Sequence, residues 1–330
     1  MKDFEQILAL WSQLEAKGES AVLATVVRTA GSSYRRPGAR LLLTRTGQRV
    51  GSVSGGCLED DLVKRAWWLT ENGPVVRRYD TTPDGEIAAE YGLGCNGIIH
   101  VLVERLKPGH AEALDIVRRV RETRQPATIE HKIPRGGDYE VFAETVTPPL
   151  RLLVFGAGDD AVPVVNMAKF LGWEAWVFDG RAHYARRDKF PGADRVVVRS
   201  PGDGEQPLPI DSWTAAVLMS HSYSQDLDTL KELAGSRLRY LGLLGPRKRA
   251  LEILHDSGLH HEIAEPAFHA PMGLDIGADG PEQVALAVTA EIQAVINGRA
   301  GSSLRERDGS IHADADSAVE SAWVQSIVCA

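Results

Sequence analysis

The stretch RLLVFGAGDDAVPVVNMAKFLGWEAWVFDGR, residues 151–181, decides the fold that we predict for this chain. An apolar run at 152–155 leads into a turn that holds Gly156 and Gly158, and apolar residues then recur at helical spacing. A second apolar run, 175–178, ends on Asp179. Strand, tight turn, helix, strand and terminal acid is the order of a dinucleotide-binding βαβ unit. The stretch therefore predicts an α/β domain with a Rossmann-like, doubly wound parallel sheet.

Each special position in this stretch has an expected role in ligand binding. Gly156 allows the tight turn, and Gly158 lets the backbone approach a phosphate. Ala161 stands where a small residue permits close packing of helix on strand. Asp179 follows Gly156 by 23 residues, close to the spacing of an acid that binds a ribose.

Two acids, Asp159 and Asp160, depart from the usual pattern of this turn. Carboxylates at a helix start suit the helix dipole and can cap free N–H groups. They would also repel a pyrophosphate. Two alternatives stay open at this point: a doubly wound domain that binds a dinucleotide, and one that binds none.

Composition limits the classes of function. The chain has 330 residues, a net charge of −8, 43% hydrophobic and 25% charged residues, which suits two globular domains. No global basic field favours nucleic acid, so an anionic ligand must be held by local groups. We find no signal-peptide pattern and no run near the roughly 18 apolar residues of a membrane span. Three cysteines make no disulfide framework, so we expect a cytoplasmic protein with reduced thiols.

The domain organisation follows from a proline pair that interrupts the chain and from the order of the predicted elements. Residues 1–149 mix helices and strands as a small α+β domain, and Pro148–Pro149 marks the boundary. Residues 150–298 alternate strands and helices as the Rossmann-like domain. Residues 299–330 turn polar and are predicted to form a flexible tail.

Two cysteines stand in glycine-rich turns, GGCLE and GLGCNG. Gly55 and Gly56 precede Cys57, and Gly94 precedes Cys95. Glycines let the backbone approach a ligand, and a helix start after Cys57 lowers a thiol pKa. The two thiols can meet in space and bind a soft metal or a sulfur-bearing ligand. The alternative is a pair of small buried cysteines in tight turns. Their separation excludes a simple CxxC zinc site.

Cationic and imidazole side chains supply further candidates. Arg35 and Arg36 lie on a loop and can clamp a phosphate through forked donors, or can be a solvated pair. His221 follows the fourth strand of the second domain, at the carboxyl edge where open α/β sheets bind ligands. Its imidazole can bind a ligand or act as a base, or can simply complete a turn.

Eight motifs occur together and in order over about residues 21–298. They are TAGSSYRRPGARLLL, GSVSGGCLEDDL, YGLGCNG, VFGAGDDAVPVV, VFDGR, MSHSYSQDLDTL, YLGLLGPRKR and PMGLDIGADGPEQVALAVTAEI. In this combination the chain resembles the family of xanthine dehydrogenase accessory proteins, with its relatives in carbon monoxide dehydrogenase gene clusters (XdhC/CoxI).

This resemblance implies a function that no single motif reveals. It implies a maturation factor rather than a turnover enzyme, one that binds molybdenum cofactor and assists its sulfuration and insertion. The implied partners are a xanthine dehydrogenase-type molybdenum hydroxylase and a cysteine desulfurase, and the implied state is a homodimer. No nucleic acid or membrane partner is expected.

Site residues carry over from the family position by position. Cys57 and Cys95 match the glycine-flanked cysteines and would contact the metal through molybdenum cofactor. The full set of expected cofactor-binding residues is Arg36, Gly55, Gly56, Cys57, Gly94, Cys95, Gly156, Gly158, Asp179 and His221. Many members carry histidine at the position of Asp159 and glycine at that of Asn96, so this chain departs there.

Two rival functions come from other classes. An NAD(P)-dependent oxidoreductase would use Asp179 for the ribose, which favours NAD over NADP, and His221 for acid–base work. A nucleotide-binding regulator would bind without chemistry. The paired acids at the turn and the lack of a clear Lys/Tyr or Cys/His set count against the oxidoreductase.

Overall fold

The computed structural model describes residues 2–31, 33–56, 58–82, 97–135, 138–203, 207–259 and 268–306. Cys57, Gly94 and Cys95 lie outside the described residues, as does most of the predicted tail. The chain divides between Pro148 and Pro149 into two compact units, Asp3–Pro148 and Pro149–Ser302.

The first unit is built on a five-stranded antiparallel sheet with the order β3-β2-β1-β5-β4, beside a two-stranded hairpin of β6 and β7. Its strands are β1 (Ala21–Gly31), β2 (Arg40–Leu43), β3 (Arg49–Gly51), β4 (Val75–Asp80), β5 (Gly97–Leu106), β6 (Ala127–Arg135) and β7 (Asp138–Val146). Its helices are α1 (Lys2–Ala16), α2 (Glu59–Leu69) and α3 (Glu112–Thr123).

Alternation along the strands explains why both faces of this sheet are covered. Leu23 and its neighbours on one face pack against the apolar sides of α1 and α3. Val22, Ala24 and Val26 point to the other face and pack with Leu62 of α2. Because successive side chains point to opposite faces, a continuously apolar β1 requires helices on both sides.

The second unit is a six-stranded parallel sheet with the order β10-β9-β8-β11-β12-β13. Its strands are β8 (Arg151–Phe155), β9 (Glu174–Asp179), β10 (Arg195–Val198), β11 (Thr214–Leu218), β12 (Tyr240–Leu243) and β13 (Phe268–His269). Counted from β8, this is the 3-2-1-4-5-6 order of a Rossmann sheet, with its switch point between β8 and β11. The predicted fold class, α/β with a doubly wound parallel sheet, is confirmed.

Helices cover both faces of the parallel sheet, as strands that are buried on both sides require. They are α4 (Ala161–Phe170), α5 (Tyr223–Leu233), α6 (Arg247–Ser257) and α7 (Pro281–Ile296). α4 and α7 pack on one face and α5 and α6 on the other. Residues Leu304–Glu306 form a short 3₁₀ turn. In the described part of the chain, no helix combines the length and the apolar character that crossing a bilayer requires.

Candidate functional site

Several strands of the antiparallel sheet end at the same edge, close in sequence to the residues predicted for the site of the first unit. Gly31 at the end of β1 lies opposite Gly97 at the start of β5, and Asp80 at the end of β4 lies opposite Ile98. β3 ends at this edge too, since the N–H of Ser52 donates to Arg40 O over 2.8 Å. The described ends of the connections that follow β1, β3 and β4 therefore lie at the same edge of the sheet.

Hydrogen bonds between Thr81 and Gly97 join the two described ends of the connection that follows β4. Thr81 donates its N–H to Gly97 O over 2.9 Å and its hydroxyl to the same oxygen over 2.8 Å. Cys95 lies two residues before Gly97, and Cys57 lies in the second connection. The antiparallel topology thus brings the neighbours of both predicted cysteines to one edge.

The arginine loop, residues 33–38, contains two arginines in different situations. Arg35 forms an ion pair with Asp3, whereas Arg36 is exposed. The Ser33 hydroxyl donates to Arg35 O over 2.7 Å and tightens the loop. Of the two predicted clamp residues, Arg36 is the more exposed.

A buried anchor fixes the end of the arginine loop. Arg40 is 1% exposed, donates to Gly38 O over 2.8 Å and forms an ion pair with Glu144. Gly38 has a φ of +91°, and a Cβ there would collide with the Glu144 carboxylate. The positive φ therefore favours glycine, and any side chain there would displace the Glu144 carboxylate that pairs with Arg40.

The histidine beside this anchor stays neutral. His131 Nε2 lies 3.2 Å from Arg40 Nη2 and 3.0 Å from Glu144 Oε1. Burial, followed by the charge of Arg40, lowers the pKa of His131 to about 4. Sequence reasoning missed this anchor, because Arg40 and Glu144 are 104 positions apart.

The glycine turn, residues 52–58, neighbours the arginine loop. A Cβ on Gly55 would lie 3.9 Å from the Tyr34 ring, so the two loops are adjacent. Gly56 has a φ of +120°, a backbone conformation that favours glycine. The predicted residues Gly55 and Gly56 are exposed and lie beside the loop that carries Arg36.

In the second unit, Gly156 makes the expected tight turn. Its φ is +114°, its N–H donates to Phe178 O over 2.8 Å, and a Cβ would collide with Met219 O. Glycine is therefore needed for the close approach of the β8 loop to the β11 loop.

Asp179 is placed as the motif predicts but is already fully engaged. Its side chain is 0% exposed, and it accepts hydrogen bonds from the N–H groups of Ala157 and Arg181, each over 2.9 Å. The guanidinium of Arg181 supplies two more. Burial alone would raise the pKa of Asp179, but these bonds outweigh it and hold the pKa below its usual range. All the acceptor sites of a carboxylate are used, which leaves no acceptor for the ribose role expected of Asp179.

The helix-capping role expected for Asp160 is wrong. Asp160, the N-cap of α4, makes no side-chain cap hydrogen bond. Its Oδ2 lies 2.8 Å from His221 Nε2, and Asp159 Oδ1 lies 2.8 Å from Lys189 Nζ. Each acid pairs with a side chain from a distant loop instead of with the helix start. The charge of Asp159 is therefore matched by Lys189, and the Asp160 carboxylate is engaged by His221, which weakens the case that these acids repel a pyrophosphate.

Gly158 gives room to the protein's own carboxylate. A Cβ there would lie 2.5 Å from Asp160 Oδ1 and 3.7 Å from His221 Cδ2. The side chains of Asp160 and His221 therefore fill the space beside Gly158. Both are side chains that can shift.

His221 lies at the carboxyl edge of the parallel sheet, as predicted. It has a φ of +59°, a side chain that is 62% exposed, and a place beside a cavity of about 210 Å³. The cavity is lined by Met219, His221, Leu244, Gly245, Pro246 and Arg249. Arg249 donates to the buried Asp226 over 2.7 Å, so its charge is matched within the protein.

Metal binding rests on residues that the structure does not describe. Among the described ranges, no group of three His, Cys, Asp or Glu side chains is arranged to hold a metal ion. The metal contact predicted for Cys57 and Cys95 stays a prediction.

These features define a two-part class of protein: an α+β unit with the exposed Gly55–Gly56 turn at one sheet edge, followed by a Rossmann unit. Residues 14–80 match the model of the XdhC and CoxI family, and residues 152–292 match the XdhC Rossmann domain. A relative from Bacillus subtilis (strain 168), named as a probable xanthine dehydrogenase subunit, is 32% identical over 83% of this chain and 92% of its own length. The chain therefore belongs to the XdhC and CoxI family.

Two further comparisons agree with this assignment. The molybdenum cofactor insertion chaperone PaoD of Escherichia coli (strain K12) is 25% identical over 89% of each chain. A crystal structure described as a xanthine dehydrogenase from Bacillus halodurans superposes with a TM-score of 0.76 at 28% identity, covering 90% of this chain and 98% of that one.

Proposed function

We propose that this protein binds molybdenum cofactor as a cargo and assists its sulfuration and insertion into a xanthine dehydrogenase-type molybdenum hydroxylase. The cargo is an anionic pterin that carries a terminal phosphate and a sulfur-rich metal centre. It is carried and released rather than turned over, so we place the protein among maturation factors.

The observation that carries this proposal is the convergence at the edge of the antiparallel sheet. An exposed arginine, Arg36, lies on a loop that adjoins the open Gly55–Gly56 backbone. A guanidinium fork suits a phosphate, and an exposed glycine backbone lets a ligand approach closely. Cys57 lies between described residues of the glycine turn and Cys95 lies two positions before Gly97, so both thiols would be soft donors for the metal centre near this edge.

The names of the relatives support the same role. One is called a molybdenum cofactor insertion chaperone and another a probable xanthine dehydrogenase subunit, and both match most of their length. We carry the cargo and a hydroxylase partner over to this chain as proposals. A cysteine desulfurase as sulfur donor and a homodimeric state complete the proposal.

An NAD(P)-dependent oxidoreductase would need Asp179 to bind the ribose, but the acceptor sites of Asp179 are already occupied. Asp179 is saturated by Ala157 and Arg181, so no acceptor remains for a ribose hydroxyl. His221 is bonded to Asp160 at the turn where a dinucleotide would lie. The geometry of the Rossmann unit therefore favours a role other than NAD(P) chemistry.

The test is to purify the protein after expression in cells that make molybdenum cofactor. Bound molybdenum, pterin and NAD(H) are measured per protein, and the protein is then mixed with a cofactor-free hydroxylase. We expect stoichiometric pterin, little NAD(H), and a gain of hydroxylase activity that the free cofactor does not match. Tight NAD(H) binding together with hydride transfer to a carbonyl substrate would overturn the proposal in favour of the oxidoreductase.

A further inference from the structure

Glu59 is buried beneath the glycine turn at the start of α2. Its side chain is 3% exposed, although it belongs to a run of three acids, Glu59-Asp60-Asp61. Oε1 accepts hydrogen bonds from the Ser52 hydroxyl over 2.8 Å and from the N–H groups of Val53 and Ser54, each over 2.9 Å. One carboxylate oxygen thus ties down three successive residues of the turn.

Ser54 links Glu59 to the rest of the turn through further hydrogen bonds. Its hydroxyl donates to Glu59 Oε2 and accepts from the N–H groups of Gly56 over 3.2 Å and Leu58 over 3.1 Å. The residues on both sides of position 57 are therefore fixed to one oxygen atom. Because that hydroxyl has a single proton, its donation to Glu59 sets the orientation in which it accepts from the two N–H groups.

The inner and outer sides of the turn differ. The inner side is hydrogen-bonded to Glu59 and Ser54, whereas Gly55 and Gly56 are exposed and a Cβ on Gly56 would meet nothing within 4 Å. A turn that is held from inside and open outside is pre-organised, which lowers the entropy cost of binding.

The two neighbouring acids show that this arrangement is specific to Glu59. Asp60 is 64% exposed and pairs with Arg49 over 3.0 Å. Asp61 accepts from the Tyr79 hydroxyl over 2.8 Å on the other side of the helix start. Neither one contacts the turn in the hydrogen bonds found among the described residues. Leu58, the N-cap of α2, makes no side-chain cap, so Glu59 holds a loop rather than completing a reciprocal cap.

We propose that Glu59, acting through Ser54, is the positioning residue that fixes the glycine turn in its cargo-binding shape. The inference rests on the proposed function for the identity of the cargo, but the hold on the turn is a property of the free protein. It assigns to Glu59 a role in ligand binding without contact to the ligand.

The experiment compares Glu59→Gln with the wild type and with two matched controls, Asp60→Asn and Asp61→Asn. An amide nitrogen in place of one carboxylate oxygen must face either a donor N–H or the Ser54 hydroxyl, so the network cannot persist unchanged. We measure amide hydrogen exchange of Val53, Ser54, Gly56 and Leu58 in cargo-free protein. We also measure molybdenum and pterin content per folded protein after co-expression, and the melting temperature.

We expect Glu59→Gln to exchange these four amides about tenfold faster and to retain about tenfold less cargo, the scale of a lost charge-assisted hydrogen bond. Asp61→Asn should lower the melting temperature while leaving both readouts as in the wild type, and Asp60→Asn should change none of them. Glu59→Asp should not rescue, since the shorter side chain cannot span the turn. Ser54→Ala, which removes only the relay, should reproduce the exchange at Gly56 and Leu58 and serves if Glu59→Gln does not fold.

Wild-type exchange and cargo content in Glu59→Gln would overturn the inference, as would faster exchange with unchanged cargo. Cargo loss in Asp61→Asn equal to that in Glu59→Gln would overturn it too, since stability alone would then explain the loss. A wild type that retains no cargo would overturn the proposed function and the ligand part of this inference. The exchange data would still establish or refute the hold of Glu59 on the turn.

Discussion

Asp179 and Arg181 form a two-pronged ion pair at the end of β9. Oδ1 accepts from Arg181 Nε over 2.9 Å and Oδ2 accepts from Nη2 over 2.8 Å. The same Nη2 donates to Ser220 O over 3.2 Å, so one guanidinium joins the loops after β9 and β11 across the switch point. A parallel pair of such bonds is a strong and geometrically specific contact. The acid therefore stabilises the Rossmann edge itself.

The first prediction follows from this pair. Asp179→Asn should lower the free energy of unfolding by about 1–3 kcal/mol, because it removes a charge-assisted acceptor from buried donors. Cargo content per folded protein should stay near that of the wild type. Urea unfolding and pterin analysis measure the two quantities. A ribose-binding role would give the reverse pattern, with stability nearly unchanged and NAD(H) affinity lost.

The second prediction concerns Arg36. If its guanidinium clamps the cargo phosphate, Arg36→Ala should cost about 1.5–3 kcal/mol of binding, and lysine should restore little because it lacks the fork. Cargo retention and competition by free phosphate are the measurements. Arg35→Ala is the matched control, since Arg35 lies on the same loop but is less exposed than Arg36 and forms an ion pair with Asp3. Equal retention in Arg36→Ala and the wild type would make Arg36 a solvated loop residue.

The third prediction concerns the two cysteines of the glycine turns. Cys57→Ala and Cys95→Ala should each reduce the molybdenum and pterin content, because each removes a soft donor, while the melting temperature changes little. Cys329→Ala provides a control from outside both turns. Unchanged cofactor stoichiometry in the Cys57→Ala, Cys95→Ala double variant would remove both thiols from the site.

The fourth prediction concerns pH and the anchor beneath the arginine loop. Burial and Arg40 lower the pKa of His131 to about 4 in the folded protein, below its unfolded value of roughly 6.5. As pH falls from about 6.5 to about 4, His131 binds a proton in the unfolded chain but stays neutral in the folded protein. Stability is therefore lost in this window, by up to about 3 kcal/mol from this group. His131→Gln should show a smaller loss between pH 7 and pH 4.5 in urea unfolding. An identical loss in both proteins would mean that His131 does not carry the effect.

The sequence predicted what local spacing determines. The pattern from Leu152 to Asp179 was sufficient to predict the fold class of the second unit, because a βαβ unit is a continuous piece of chain. The turn at Gly156 was predicted correctly for the same reason. Strand β13, with two residues, is too short for any periodic signal.

The partners of the site residues were predicted poorly because most of them are distant in sequence. His221 is 61 positions from Asp160, and Lys189 is 30 positions from Asp159, so nothing local connects them. Two signals were present and were missed. Arg181 follows Asp179 by two residues in the motif VFDGR, and Glu59 follows Ser52 and Ser54 closely enough to fold back on them.

The position of β5 between β1 and β4 decides when the connection that follows β4 can be closed during synthesis. Gly97 must find Gly31 across a separation of 66 positions, a non-local pairing that forms slowly. The arginine loop and the glycine turn already adjoin β1, β2 and β3, but Thr81 has no Gly97 to pair with until the ribosome has released β5, which ends at Leu106. If the cargo binds at this end of the sheet, as we propose, its loading has to follow the synthesis and pairing of β5.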